Sequence, residues 1–364
     1  METMSNPLPV LRGRGVAWNP PNRFERLHVE LEPDPEIHAD TQILRDSSRS
    51  ILAFNDSPDV GFDVGVNPYR GCGHGCSYCY ARPTHEYLGF SAGLDFETKI
   101  LVKENAPELL RKAISARGWK PQVIALSGNT DPYQPIERKL EITRRCLEVL
   151  AEFRNPVGIV TKSRLVTRDL DVLGRLSAHG AAAVVLSVTT LRPELQRAME
   201  PRASTPAKRL EAIRMLAEAG IPVGVNMAPV VPGLTDEEMP AILAAAADAG
   251  ATFASYILLR LPHGVKDLFD TWLEQHVPER RQKVLNRIRE MRGGDLYDAR
   301  FAVRGRGEGP WADHLRAVFR VTSSRLGLDR PPKLGADRFR VPPAPPGPQG
   351  DLFAPASDGR TGSA

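Results

Sequence analysis

The sequence is sparing with cysteine, aromatic residues and long apolar runs. Four cysteines in 364 residues cannot build the disulfide framework of a secreted scaffold. No stretch approaches the roughly 18 to 20 consecutive apolar residues of a membrane helix. The opening METMSNPLPVLRGRG lacks the apolar segment of a secretory signal. A cytoplasmic protein with no membrane partner is expected. A net charge of +4 excludes little, and 41% hydrophobic with 25% charged residues is ordinary globular composition. The length allows one large domain or two ordinary ones.

What is present begins with a regular alternation from about Val64. Apolar, β-branched runs occur at 61–69, 121–128, 156–163, 181–190, 221–231 and 251–259, with helical patterns such as RKLEITRRCLEVLAEF and PAKRLEAIRMLAEAG between them. Gly180, Gly220 and Gly250 read as residues closing helices, and Thr235 with Glu238 reads as a capping box. Strands buried on both faces and separated by helices imply parallel βα units. Six such units over about 200 residues suit an α/β fold, either an open partial (β/α)6 barrel or a doubly wound sheet, with chemistry at the C-terminal strand ends. The expected organisation is an irregular N-terminal arm over 1–60 and the barrel over 61–262. A basic extension over 263–330, with a helix at 278–294, and a disordered Pro/Gly-rich tail over 331–364 follow.

Three of the four cysteines fall within residues 72–79, in YRGCGHGCSYCYARP, just after the first expected strand. Cys72-x3-Cys76-x2-Cys79 offers soft thiolates suited to iron–sulfur clusters, zinc or Cu(I). A closed zinc site needs a fourth ligand, for which His74, His85 and Cys146 are available. His74 lies inside the cysteine loop, and Cys146 lies in an amphipathic helix where a buried, inert thiol is expected. Three ligands without an obvious fourth suit a cubane cluster with one open iron, and Gly71, Gly73 and Gly75 allow the tight backbone around it.

This spacing, with the aromatic Tyr78 before the last cysteine, resembles the radical S-adenosylmethionine (SAM) superfamily over roughly residues 60 to 262. The resemblance implies a partial (β/α)6 barrel and a 4Fe–4S cluster on Cys72, Cys76 and Cys79. One-electron cleavage of SAM then yields a 5′-deoxyadenosyl radical that takes hydrogen from a substrate. CSYCYARP followed by ALSGNTDPYQP looks like the branch containing spore photoproduct lyase and uncharacterised bacterial relatives, and the whole chain resembles the latter more. The branch implies SAM contacts from Ser127, Asn129 and Asp131 to its amino group, from Lys162 to its carboxylate, and from Ser187 to its ribose or carboxylate. Asn226 interrupts the fifth apolar strand. Tyr78 and Tyr80 match two tyrosines of a hydrogen relay.

One departure is visible. The lyase's hydrogen-donating cysteine has no counterpart in LSGNTDPY, which bears on dimer splitting by that route. The implied partners include an electron donor such as a flavodoxin or ferredoxin. Residues 276 to 340 hold 16 Lys/Arg against 8 Asp/Glu, with Trp311, Phe319 and Phe339 interleaved. That pattern is compatible with a damaged or modified nucleic acid as substrate, in a lyase or repair role. A peptide or metabolite substrate, or a zinc-stabilised nucleic-acid-binding module, are the alternatives. QGDLF at 349–353 resembles a sliding-clamp peptide through Gln349, Asp351, Leu352 and Phe353, with Gly350 in place of the usual leucine.

Overall fold

The computed structural model describes residues 10–24 and 40–343. Ten strands are numbered along the chain. These are β1 (Gln42–Arg45), β2 (Leu52–Phe54), β3 (Val64–Val66), β4 (Tyr69–Arg70), β5 (Lys99–Val102), β6 (Ile124–Leu126), β7 (Val157–Thr161), β8 (Ala182–Ser187), β9 (Val223–Val230) and β10 (Phe253–Leu258). Six of them, β3 and β6 to β10, are the six apolar runs read from the sequence, and they lie parallel in chain order. β2 adds antiparallel to β3 at the far edge, giving the order β10-β9-β8-β7-β6-β3-β2. The sheet does not close on itself, so the architecture is an open, partial barrel.

Apart from the edge strand β10, which is largely half-exposed, the parallel strands are rich in Val, Ile and Ala because both faces are covered. Val64, Ile124, Val157, Val184 and Val225 are inaccessible, beneath helices such as Ile142–Phe153 and Pro206–Glu218. At about 25 cal/mol per Å² of apolar surface, this burial supplies the main drive to fold. Gly180, Gly220 and Gly250 close their helices with φ of 64°, 71° and 98°, conformations that a side chain would strain. The capping box expected at Thr235 and Glu238 does not form. Thr235 Oγ1 accepts from Val231 N at 2.9 Å, while Glu238 receives Thr190 Oγ1 and Leu191 N, both at 2.7 Å, and Arg192. An arginine, a hydroxyl and an amide after β8 offer that carboxylate more than its own helix does.

Two strands, β1 and β2, fall in the N-terminal arm. β1 pairs parallel with β5, which pairs antiparallel with β4, making a separate three-stranded sheet that leads straight into Gly71 and the cysteines. Beyond the barrel, Pro278–Glu290 is helical with Val284, Leu285 and Ile288 buried, as its stripe predicts. The stretch after it bridges the open side: Gly305 O accepts from Leu258 N at 2.9 Å, and Arg304 pairs with Asp59 after β2. Phe339 packs on Phe153, ring centroids 6.1 Å apart. No helix among the described residues is long and apolar enough to cross a membrane.

Candidate functional site

The cysteine loop is held on every side by backbone hydrogen bonds. Cys72 N donates to Phe96 O (2.9 Å), Ser77 N to Met199 O (3.0 Å), and Arg202 N to His74 O (3.2 Å). Gly73 N donates to Gln134 Oε1 at 2.9 Å, while Gln134 Nε2 and Thr130 Oγ1 both donate to Gly71 O. Gly71 and Gly75 adopt φ of 78° and 67°, as the tight path requires. From below, Arg82, wholly buried, donates twice to Cys76 O (3.0 and 2.7 Å), to Ala92 O and Gly93 O, and pairs with buried Glu97. The other oxygen of Glu97 accepts from Gly15 N at 3.0 Å. A Cβ on Gly15 would overlap the carbonyl oxygen of Gly75, so the RGRG segment lies flat against the loop.

The donor set, three soft thiols on one loop, fits an iron–sulfur cluster. Cys72 and Cys76 are buried and Cys79 half-buried. Burial and then the Glu200 carboxylate push the Cys76 thiol well up, and burial followed by Cys72 raises Cys79. The proposed zinc alternates are all engaged elsewhere. His74 Nδ1 faces Asp131 at 3.3 Å, His85 Nε2 donates to Lys99 O at 2.9 Å, and Cys146 sits in the core.

Asp131 works as a tether. Its carboxylate accepts from Tyr133 N (2.9 Å), Thr161 Oγ1 (2.6 Å) and Lys162 N (2.8 Å) besides meeting His74, joining the ends of β6 and β7 to the cysteine loop. Burial disfavours both charges, but each favours the other: His74 is held up to about 10 and Asp131 down to about 2. These donors engage the same carboxylate that the sequence expects to meet the SAM amino group.

Beneath the loop lies a network that the sequence did not reveal. Glu200, fully buried, pairs with Arg209 and accepts from Thr189 Oγ1 (2.6 Å) and from the Tyr78 hydroxyl. Arg209 also donates to Ser187 O (2.9 Å) and Ser204 O (2.7 Å). Burial alone would raise the Glu200 carboxyl, but Arg209 and Lys162 hold it below its ordinary range. Nothing in sequence spacing marks these charges as partners.

The remaining candidates line successive strand ends. Ser127, half-buried, and Asn129, exposed, follow β6; Lys162 follows β7; Ser187 ends β8 in register with Asn226 of β9. Lys162 Nζ stands 5.8 Å from the centroid of the Tyr78 ring. Asn226 is buried with its Oδ1 unpartnered, an acceptor still to be satisfied. Tyr80 is 44% exposed, its hydroxyl donating to Gly128 O at 2.8 Å, with the Arg260 guanidinium 4.8 Å from its ring centroid. Arg260, just after β10, was not singled out in the sequence.

The C-terminal aromatics are structural. Phe319 packs on Tyr256 at 4.8 Å, Phe339 on Phe153, and Trp311 against the core and under Arg287. Part of the basic excess is internally paired, as in Arg281 with Asp270 and Arg300 with Asp298 and Glu308. The clamp-like Gln349, Asp351, Leu352 and Phe353 lie outside the described residues.

Comparison with known proteins gives a consistent family. Residues 66–246 match the model described as the radical SAM superfamily. An uncharacterized protein of Mycobacterium tuberculosis (strain H37Rv) is 37% identical over 244 residues, 66% of this chain and 71% of that protein. An uncharacterized protein of Methanocaldococcus jannaschii is 30% identical over 223 residues, 61% of this chain and 79% of that one. Among solved structures, spore photoproduct lyase complexed with a dinucleoside spore photoproduct superposes with a TM-score of 0.57 at 18% identity, covering 79% of this chain and 80% of the other.

Proposed function

The chain belongs to the radical SAM superfamily and is an enzyme that uses a 4Fe–4S cluster and S-adenosylmethionine, and on that premise we propose that Cys72, Cys76 and Cys79 hold the cluster and that the substrate is nucleic acid. When bound, the cluster and SAM supply one-electron cleavage of the sulfonium, giving methionine and a 5′-deoxyadenosyl radical that takes hydrogen from the substrate.

The chain's own residues bind, orient and exclude water. Lys162, between the cysteine loop and the β7 end, offers an ammonium for the SAM carboxylate. Ser127 and Asn129 offer polar atoms at the β6 end for its amino group, and Ser187 on β8 with Asn226 on β9 offers them two and three strands further on. Asp131 positions this rim through Lys162 N and Thr161. Tyr78, its hydroxyl engaged by Glu200, positions the loop. Tyr80 is the more exposed of the two tyrosines, and with no cysteine in LSGNTDPY we assign to it the return of a hydrogen atom to the product radical. Its phenoxyl radical is then restored by one electron from the same reductant that serves the cluster and a proton from water.

The observation that carries the nucleic-acid reading is the half-exposed Tyr80 ring with Arg260 against it. A flat aromatic beside a guanidinium suits a stacked base and its phosphate. The spore photoproduct lyase of similar fold is itself complexed with a dinucleoside. The test is anaerobic turnover with deuterated oligonucleotides, with and without lesions, followed by mass spectrometry of 5′-deoxyadenosine. Deuterium transfer, lost with Tyr80→Ala and Arg260→Ala, supports the reading. Transfer from deuterated peptides or metabolites but from no nucleic acid refutes it.

A further inference from the structure

A cleft of about 480 Å³ opens beside the cysteine loop and shares no lining residue with the strand-end set described above. His74, Tyr133, Arg138, Ser163, Arg202 and Ser204 are among its walls, and no carboxylate lines it. Arg138 and Arg202 are both exposed. Arg202 donates to Thr41 Oγ1 at 3.1 Å and keeps an exposed guanidinium at the cleft wall. Like charges gathered around a recess repel one another, and a negative surface docking there relieves the repulsion.

The position of this cleft gives the charge a purpose. His74 is the one cleft residue that belongs to the cysteine loop, and its ring contacts the Cys72 side chain. A single imidazole therefore separates the cleft from one of the three sulfurs. The loop is packed elsewhere by Gly15, Phe96, Met199 and the Arg82–Glu97 pair.

We propose that this cleft is the docking site of an acidic one-electron carrier protein, whose carboxylates meet Arg138 and Arg202 while its redox centre faces His74. The proposal rests on the radical SAM reading. The carrier is oxidised by one electron per encounter, the bound cluster is reduced by it, and the SAM sulfonium is the final acceptor, so no other co-reactant is required.

The experiment compares the full-length, reconstituted protein with Arg138→Glu/Arg202→Glu and Arg138→Lys/Arg202→Lys double variants. Binding of a flavodoxin is measured by calorimetry at low and high salt. SAM cleavage is measured with flavodoxin, with dithionite and with reduced methyl viologen, two small reductants of opposite charge. Charge reversal is expected to weaken flavodoxin binding and its driven rate by about tenfold or more, with the lysine pair retaining most of both. Cluster absorbance and both small-reductant rates stay at wild-type values. Flavodoxin affinity and driven rate unchanged by charge reversal overturn the proposal, as does loss of oligonucleotide binding with flavodoxin binding intact. Absence of cleavage with either small reductant in the wild-type protein counts against the radical SAM reading itself, and the docking site falls with it.

Discussion

Replacing Arg82 with methionine perturbs the cysteine loop without touching a sulfur. The guanidinium is fully buried, donates twice to Cys76 O, and neutralises Glu97, which is equally buried. Removing one partner of a buried ion pair strands the other charge and costs about 3–5 kcal/mol, much more than a net hydrogen bond at about 1 kcal/mol. The lost bonds to Cys76 O, Ala92 O and Gly93 O overlap with that figure, so about 4 kcal/mol is expected. With a urea dependence of about 3 kcal/mol per molar, the midpoint falls by a little over about 1 M. Iron bound per chain after anaerobic reconstitution should fall as well, because Cys76 loses the donors that fix its carbonyl. Adding Glu97→Gln removes the stranded charge while keeping an acceptor for Gly15 N, and should restore about half of the lost stability. A methionine variant that unfolds at the wild-type midpoint and loads as much iron refutes the reasoning.

Other outcomes follow from neighbouring contacts. Cys72→Ala, Cys76→Ala and Cys79→Ala should each abolish SAM cleavage, whereas Cys146→Ala, in the core away from the loop, should keep it at a stability cost of about 1 kcal/mol. Gly15→Ala places a methyl against the Gly75 carbonyl, and about 1–3 kcal/mol of overpacking should speed the loss of iron to a chelator. His85 is buried between Phe90 and Phe96 with its pKa lowered to about 4 from 6.5, chiefly by burial. Between those values the unfolded chain binds a proton that the folded chain refuses. Stability is therefore complete above pH 6.5 and declines by about 3 kcal/mol as pH falls toward 4, a loss that denaturation of His85→Phe should not show.

The six barrel strands were legible because each is a short apolar run between helical patterns, and all but the edge strand β10 are covered on both sides. The glycine stops were legible for a similar local reason. β1 and β2 were not, because QILR and LAF are exposed edge segments whose pairing depends on β5 and β3 rather than on their own pattern. The cysteine trio stood out by spacing, while its support did not. Arg82 with Glu97 and Glu200 with Arg209 are charged residues that composition assigns to the surface, and only the folded chain shows them buried as pairs. Asp131 follows β6 as the sequence placed it, but its partners Tyr133, Thr161, Lys162 and His74 could be known only from the folded chain. Trp311, Phe319 and Phe339 misled because an aromatic among arginines looks the same in sequence whether it stacks on a ligand or on the core.

Gly15, Phe96, Gln134, Met199 and Arg202 all brace the same eight-residue turn, though they span more than half of the chain. A polypeptide emerging from the ribosome lacks the last of these braces until translation has passed Arg202 and that segment has cleared the exit tunnel. Iron delivery thus becomes a late checkpoint in biogenesis, and a chain truncated before Met199 is expected to leave its thiols open to oxidation.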